Sequence, residues 1–219
     1  KQGRNENWQW LEYDVERQRA RRVNRKMREI PGMILDLTAE DEEDGEQWDL
    51  NNPSKCKRAM EMINNKQAML VICNPMVDVL KQCKSTEDLE DPGIIDSMKR
   101  HVEACAQICE IQHNQGMYFM YEHMANAKSW NHPMIKKLHE HEAIHSVKGD
   151  ECTYVLGEEQ VRARVKVMCN APMLIERIKH RSHDTDRKTS MNEGVVKQKR
   201  EGMDNMKMAI LKGIMDQMR

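Results

Sequence analysis

The segment HEAIH at residues 141–145 has the residue spacing of a zinc-protease motif. On one helix, His141 and His145 would lie one turn apart and bind zinc, while Glu142 would activate a water molecule. The surrounding pattern predicts instead that the segment joins the end of a short helix to the start of a strand. The longer form of the motif also needs a third histidine, and Glu151 occupies that position. We therefore predict no zinc site and no protease here.

A second metal-like pattern, HVEACAQICEIQH, covers residues 101–113. It has a His or Cys at every fourth position, namely His101, Cys105, Cys109 and His113. Neighbouring members share a helix face, but the four together spread over three turns, so one tetrahedral ion cannot collect them all. Cysteine is also among the residue types most often buried. The pattern therefore predicts a helix stripe that faces the core, with no metal.

Both segments lie in a chain whose apolar pattern alternates between strand and helix signals. The predicted strands are MILDL (33–37), AMLVIC (68–73), MYFMYEH (117–123), IHSVKG and ECTYVLG on either side of a turn at Gly149-Asp150, and RARVKVMCN. The predicted helices run from Pro53 to about residue 65, over 92–115, from Pro133 to about His141, from Pro172, and over 201–218. This alternation predicts an α/β fold with a mainly parallel sheet flanked by helices.

The N-terminal region differs from the rest in charge. Residues 8–29 contain helix formers and end at Pro31-Gly32, which predicts a basic helical arm over 1–31 before an α/β domain over 32–219. Its basic residues are Arg17, Arg19, Arg21, Arg22, Arg25, Lys26 and Arg28. Such a cluster could neutralise several phosphates, so nucleic-acid binding is one candidate function. The acidic loop at 40–46 is expected to be solvated, and 181–200 is expected to be a loop.

The composition excludes some classes of protein. Thirty-five basic and 36 acidic residues give a net charge of -1, so no global field attracts nucleic acid or membrane. Seven cysteines without regular spacing indicate a reducing, intracellular compartment rather than a disulfide framework. No run is long and apolar enough for a membrane span, and the residues after Lys1 do not have a signal-peptide pattern. The 19 methionines, against 4% aromatic residues, predict a core that relies on methionine.

Five segments, read in order, resemble a group of proteins encoded in mobile elements of protists and oomycetes. These proteins in turn resemble diverged DNA cytosine methyltransferases. The segments are ILDLTAEDEEDGEQWDLNNP, AMLVICNPMVDVL, MYFMYEHMANAKSW, VKGDECTYVLG and VMCNAPMLIERI. The likeness covers about residues 32–214 and implies a Rossmann-like fold with S-adenosylmethionine as the cofactor.

The resemblance also assigns roles to individual positions. Asn-Pro-Met-Val at 74–77 lies where the methyltransferase pattern has a Pro-Cys dipeptide; Pro75 matches, but Val77 replaces the nucleophilic cysteine. Glu122 corresponds to the glutamate that contacts the target cytosine. Arg162 and Arg164 correspond to an Arg-x-Arg pair near the substrate.

Two parts of the methyltransferase pattern that carry its chemistry are missing. Valine cannot form the covalent adduct that methylation of a pyrimidine carbon requires, and Cys73 lies four residues too early to replace it. Asp49 corresponds to the acidic residue near the cofactor adenine, but no glycine-rich cofactor loop is recognisable in residues 1–32. We therefore expect a non-catalytic, methyltransferase-like subunit of a larger protein assembly, without a bound cofactor. The alternatives are a nucleic-acid methyltransferase that acts on an exocyclic amine through Asn74-Pro75, and a nucleic-acid-binding protein that uses the basic helix.

Overall fold

The protein is an α/β protein with one mixed sheet and helices on both faces of that sheet. The computed structural model describes residues 10–12, 32–33, 35, 39–75, 90–156, 159–185, 210, 213–214 and 216–217.

Six strands form the described sheet, in the spatial order β2-β1-β3-β4-β6-β5. They are β1 (Trp10–Glu12), β2 (Gly32–Met33), β3 (Leu70–Cys73), β4 (Tyr118–Met124), β5 (His145–Leu156) and β6 (Glu159–Cys169). The first four run parallel to one another, whereas β6 runs antiparallel to both β4 and β5. The sheet is therefore parallel on one side and ends in an antiparallel hairpin on the other.

Four α-helices in the described residues connect and flank these strands. They are α1 (Pro53–Lys66), α2 (Pro92–Asn114), α3 (Pro133–His139) and α4 (Pro172–Thr185), and a short 3-10 helix (Lys128–Asn131) precedes α3. Each α-helix begins with a proline, which has no backbone N–H and therefore fits the first turn. Asn52 and Asp91 cap α1 and α2, because their side chains accept hydrogen bonds from first-turn N–H groups.

The core has two layers because successive strand residues point to opposite faces of the sheet. Residues such as Val71, Phe119 and Tyr121 pack on the face covered by α1, α2 and α3. The alternate residues, such as Leu70 and Met120, pack on the opposite face with α4 and with helical residues near the C-terminus. This second layer includes Val165, Val167, Leu174, Ile178, Ile210 and Ile214.

The α/β class and the starting prolines of α1 to α4 are confirmed, as are strands β3 and β4. Two predictions in the sheet are wrong. Trp10–Glu12 form strand β1 between β2 and β3, where a helix from residue 8 was expected. Gly149-Asp150 do not form a turn, because β5 continues through them with a register shift between Lys148 and Glu151. In both places pairing with a neighbouring strand overrides local propensity. The rest of the predicted basic arm over 1–31, namely residues 1–9 and 13–31 with all seven of its basic residues between Arg17 and Arg28, lies outside the described residues.

The acidic loop is exposed at Glu40 and at residues 42–46, as expected for a solvated loop, but Asp41 is buried. Asp41 is only 1% exposed, and its carboxylate lies 3.0 Å from Lys55 Nζ and 2.8 Å from Arg58 Nε. Asp44 and Glu43 complete the set as further partners of Lys55 and Arg58. We refer to these five residues as the ionic cluster.

The ionic cluster forms because α1 places two cations opposite the loop. Burial opposes the charge on Lys55, but hydrogen bonds to Asp44 and Asp41 raise its pKa. The same bond to Lys55 is the largest cause of the lowered pKa of Asp44. The ammonium group of Lys55 also lies 5.4 Å from the ring centroid of the buried Trp48. The contacts between the loop and α1 therefore anchor the segment that leads to Asp49.

Candidate functional site at the carboxyl edge of the sheet

The topology marks one edge of the sheet as the place for a ligand. Strands β1, β2, β3 and β4 are parallel, so their carboxyl ends share one edge, here called the carboxyl edge. The chain passes from β1 outward to β2 and then returns to β3 on the opposite side of β1. In open α/β sheets, ligands bind outside the carboxyl ends of the strands at such a reversal. The reversal between β1 and β3 therefore defines the candidate site.

The end of β3 brings Asn74 and Pro75 to this edge. Pro75 is buried, and Asn74 is partly buried. The Asn74 Oδ1 atom is buried and has no hydrogen-bond partner among the described residues. An unpaired buried acceptor costs free energy, so its presence requires a reason. Val77 lies outside the described residues.

The end of β4 contributes Glu122 and His123, which point to opposite faces of the sheet. Glu122 is partly buried and pairs in register with Val167 on β6. His123 is buried; its Nδ1 bonds to the hydroxyl of Ser129, and its Nε2 has no partner within the described part of the chain. Burial lowers the pKa of His123 to about 3, so the ring is neutral at physiological pH.

The two arginines of the resemblance lie on the part of β6 that extends past β4. The last register pair between the two strands joins Met124 to Val165, so residues 159–164 project beyond the carboxyl edge. Arg164 is exposed, and its carbonyl oxygen accepts a hydrogen bond of 2.7 Å from Ala125 N. Arg162 follows two residues further out, opposite Thr153. The structure thus brings Pro75, Glu122 and Arg164 to one edge of the sheet.

Asp49 lies just before α1, at the same end of the molecule, because α1 runs back towards the amino end of β3. Its Oδ1 accepts a hydrogen bond of 2.9 Å from Asn51 N. The Asn51 side chain in turn donates to His101 Nε2 at 2.8 Å and accepts from Arg100 Nε at 3.2 Å. The amide nitrogen of Asn51 can only donate a hydrogen bond. His101 Nε2 is therefore the acceptor and carries no proton.

The environment of His101 keeps the ring neutral. Burial lowers its pKa, against the opposing effect of the Asp49 carboxylate 4.0 Å away. His101 is fully buried, whereas the Asp49 side chain is 43% exposed. A ligand can therefore reach Asp49 and the exposed Arg100, but not the ring of His101.

The thiol nearest in sequence to the site faces away from it. Cys73 ends β3 with 1% exposure and packs with Cys105 and Cys109 of α2. Burial raises the pKa of Cys109, and contacts with the other two thiols raise it further. Hydrogen bonds from Cys105 and Cys109 lower the pKa of Cys73, but the core that surrounds it excludes a substrate. A low pKa without access does not make a nucleophile.

The two metal-like patterns have the local structures predicted for them. Helix α3 ends at His139 and β5 begins at His145, so HEAIH is a connection and a strand start rather than a helix. His101, Cys105 and Cys109 lie on the buried stripe of α2. Among the residues that the structure describes, no group of three or more His, Cys, Asp or Glu side chains is arranged to hold a metal ion.

A small pocket of about 200 Å³ was missed by the sequence reasoning. Its lining residues are Trp130, Ile135, Lys136, His139, Glu140 and Lys166. The Lys166 ammonium lies 4.3 Å from the centroid of the Trp130 ring. Burial lowers the pKa of Lys166, and nearby Lys148 lowers it further. No local motif joins these residues, because they come from three separate elements.

The structure does not test the predicted basic cluster. The seven basic residues between Arg17 and Arg28 lie outside the described residues, so nucleic-acid binding through them stays a prediction.

The five cysteines whose side chains are described are free thiols. None of the described helices combines the length and apolar character needed to cross a membrane.

No protein-family model, curated protein or solved structure matches this chain. The fold and the site define the chain as an α/β protein with a candidate ligand site at the carboxyl edge of a mixed sheet.

Proposed function

We propose that the chain is a methyltransferase-like protein that transfers no methyl group and serves as an interaction or structural subunit of a larger assembly. One observation carries the proposal. Position 77, which corresponds to the nucleophile, is valine, and Cys73 is buried against α2. Methylation of a pyrimidine carbon proceeds through a thiolate adduct, and neither residue can supply one to a substrate.

The sheet supports the methyltransferase-like part of the proposal. Parallel strands in the order β2-β1-β3-β4, with a reversal between β1 and β3, are what a Rossmann-like sheet without one outer strand would have. The antiparallel hairpin of β5 and β6 departs from an all-parallel sheet. Among the described positions that the resemblance assigns, Pro75, Glu122 and Arg164 lie at the carboxyl edge, which is where such folds bind their ligands.

Cofactor binding is the most direct test. We expect no heat from isothermal titration of the purified protein with S-adenosylmethionine, because no glycine-rich loop is present in residues 1–32 to hold it. Tight and reproducible binding would contradict the proposal.

Size-exclusion chromatography of the tagged protein from its own cells tests the assembly, since elution as a lone 25.8 kDa chain would count against a subunit role.

Two variants test the site, and Glu122→Ala is the one that separates a lost active site from a working one. Val77→Cys should not restore methyl transfer, because cofactor binding as well as the thiol is missing. Glu122→Ala should change stability only modestly if the site is inactive. In a working pocket the same change would lower turnover by orders of magnitude, which radiolabelled methyl transfer would detect.

One observation favours a second candidate, an S-adenosylmethionine-dependent methyltransferase that acts on an exocyclic amine. The unpaired Asn74 Oδ1 precedes Pro75 at the carboxyl edge and could accept a hydrogen bond from a substrate amino group. No cysteine is needed for that reaction. Labelled methyl transfer to DNA or RNA that is lost in Asn74→Ala, but kept in the exposed control Asn131→Ala, would favour this candidate over the first.

A further inference from the structure

One histidine from each of the two metal-like sequence patterns lies beside the other in the folded protein. His113 ends the 101–113 pattern at the last turn of α2, and His141 begins HEAIH just after α3. Their Nε2 atoms lie 3.2 Å apart, and their rings pack edge to face with centroids 4.3 Å apart. Neither pattern contains the pair by itself, because 28 residues separate the two histidines.

The separation of the two nitrogens fits a shared metal ion. Two imidazole nitrogens at about 2.0–2.1 Å from a tetrahedral zinc ion lie roughly 3.3 Å apart. Imidazole is a preferred ligand of zinc, copper and nickel among the divalent ions. We propose that His113 and His141 form a two-histidine site for a divalent transition-metal ion, with water in the other coordination positions.

The surroundings hold the two rings close together while leaving access from solvent. His141 is exposed and His113 is partly buried. An ion pair of 3.0 Å between Lys137 and Glu110 joins α3 to α2 about one turn before the histidines. The buried Ile135 and Leu138 also pack α3 into the same core as α2, so the two helices are positioned before any ion binds, which lowers the ordering cost of binding.

The protons of the two rings can be rearranged at small cost. Coordination through Nε2 places the proton of each ring on Nδ1. The present Nδ1 contacts are long, at 3.3 Å from Ala143 N to His141 and 3.5 Å from Asn170 Nδ2 to His113. Bonds of this length are weak, so giving them up costs little. Binding of an ion then requires the edge-to-face contact to open so that both Nε2 lone pairs point to it.

Zinc titration followed by calorimetry tests the site, with cobalt absorption as a second readout. His113→Ala and His141→Ala should each weaken binding of Zn²⁺ by about tenfold or more. The double variant should be no weaker than either single variant, because one lost ligand already breaks the site. His145→Ala is the matched control and should bind as the wild type does, since His145 starts β5 and is not part of the pair.

Three results would overturn the site. The first is equal binding of Zn²⁺ by the wild type and the double variant. The second is a loss of Zn²⁺ affinity in His145→Ala as large as the loss in His141→Ala, which would assign the ion to the HEAIH motif. The third is a wild type that gives neither heat with Zn²⁺ nor a visible band with Co²⁺. Far-UV circular dichroism of each variant distinguishes a lost ligand from a lost fold.

Discussion

Two regions of the molecule treat buried polar groups in opposite ways. In the ionic cluster, the buried Asp41 and Lys55 have charged partners, and Arg58 lies within ion-pair distance of Asp41. At the carboxyl edge, Asn74 Oδ1 and His123 Nε2 are buried without a hydrogen-bond partner among the described residues. Some buried scaffold atoms, such as Ser97 Oγ and Gln112 Oε1, also have no partner among the described residues, so an unpaired atom does not by itself mark a ligand site. Asn74 and His123 differ from them in lying at the carboxyl edge, where α/β sheets bind ligands.

Asp41→Ala should have the largest effect, because it removes the carboxylate that Lys55 and Arg58 share. The buried ammonium of Lys55 then keeps only Asp44 as a partner. Breaking a buried ion pair by removing one partner costs about 3 kcal/mol of the free energy of unfolding. Urea unfolding measures the loss, and the exposed neighbour Glu42→Ala should stay within about 0.5 kcal/mol of the wild type. Equal stability of the two variants would show that the cluster contributes nothing.

The neutral ring of His123 should make stability fall at mildly acid pH. The unfolded imidazole binds a proton below its ordinary pKa of 6.5, whereas the folded ring stays neutral down to about 3. Between those values the unfolded state binds more protons, so stability present above pH 6.5 is lost as the pH falls. The contribution of His123 is about 2 kcal/mol between pH 8 and pH 5.

Unfolding of His123→Asn at the same two pH values provides the control. The variant keeps a polar group that can bond to Ser129 but has no imidazole to titrate. The difference in unfolding free energy between pH 8 and pH 5 should shrink by about 2 kcal/mol in the variant. An unchanged pH dependence would assign the acid sensitivity to other groups.

The smallest effect should come from the Asn74 side chain at the end of β3, whose Oδ1 has no partner among the described residues. Asn74→Ala removes a buried acceptor that has no described partner, so stability should be unchanged or rise by about 1 kcal/mol. Asn51→Ala is the matched comparison, because that amide bonds to both His101 and Arg100, and it should lose about 1–2 kcal/mol. Thermal or urea unfolding of both variants checks the pair. An equal loss in the two variants would mean that Asn74 is paired in solution.

Local signals predicted much of the fold. Prolines at the first helical positions predicted the starts of α1 and α2 to the residue. Apolar runs bounded by turns gave β3 and β4 within two residues. The buried stripe of α2 followed from the spacing of its cysteines and histidines. These features depend on residues within a few positions of each other.

The sequence by itself therefore determined the class of the fold and its main helices. Only the tertiary structure decided that Trp10–Glu12 form a strand, that Asp41 is buried against Lys55, and that His123 Nε2 has no partner within the described part of the chain. The tertiary structure also decided that the ring next to His141 is that of His113 and not that of His145. Each of these outcomes depends on contacts between residues far apart in the chain, where burial and pairing outweigh local propensity.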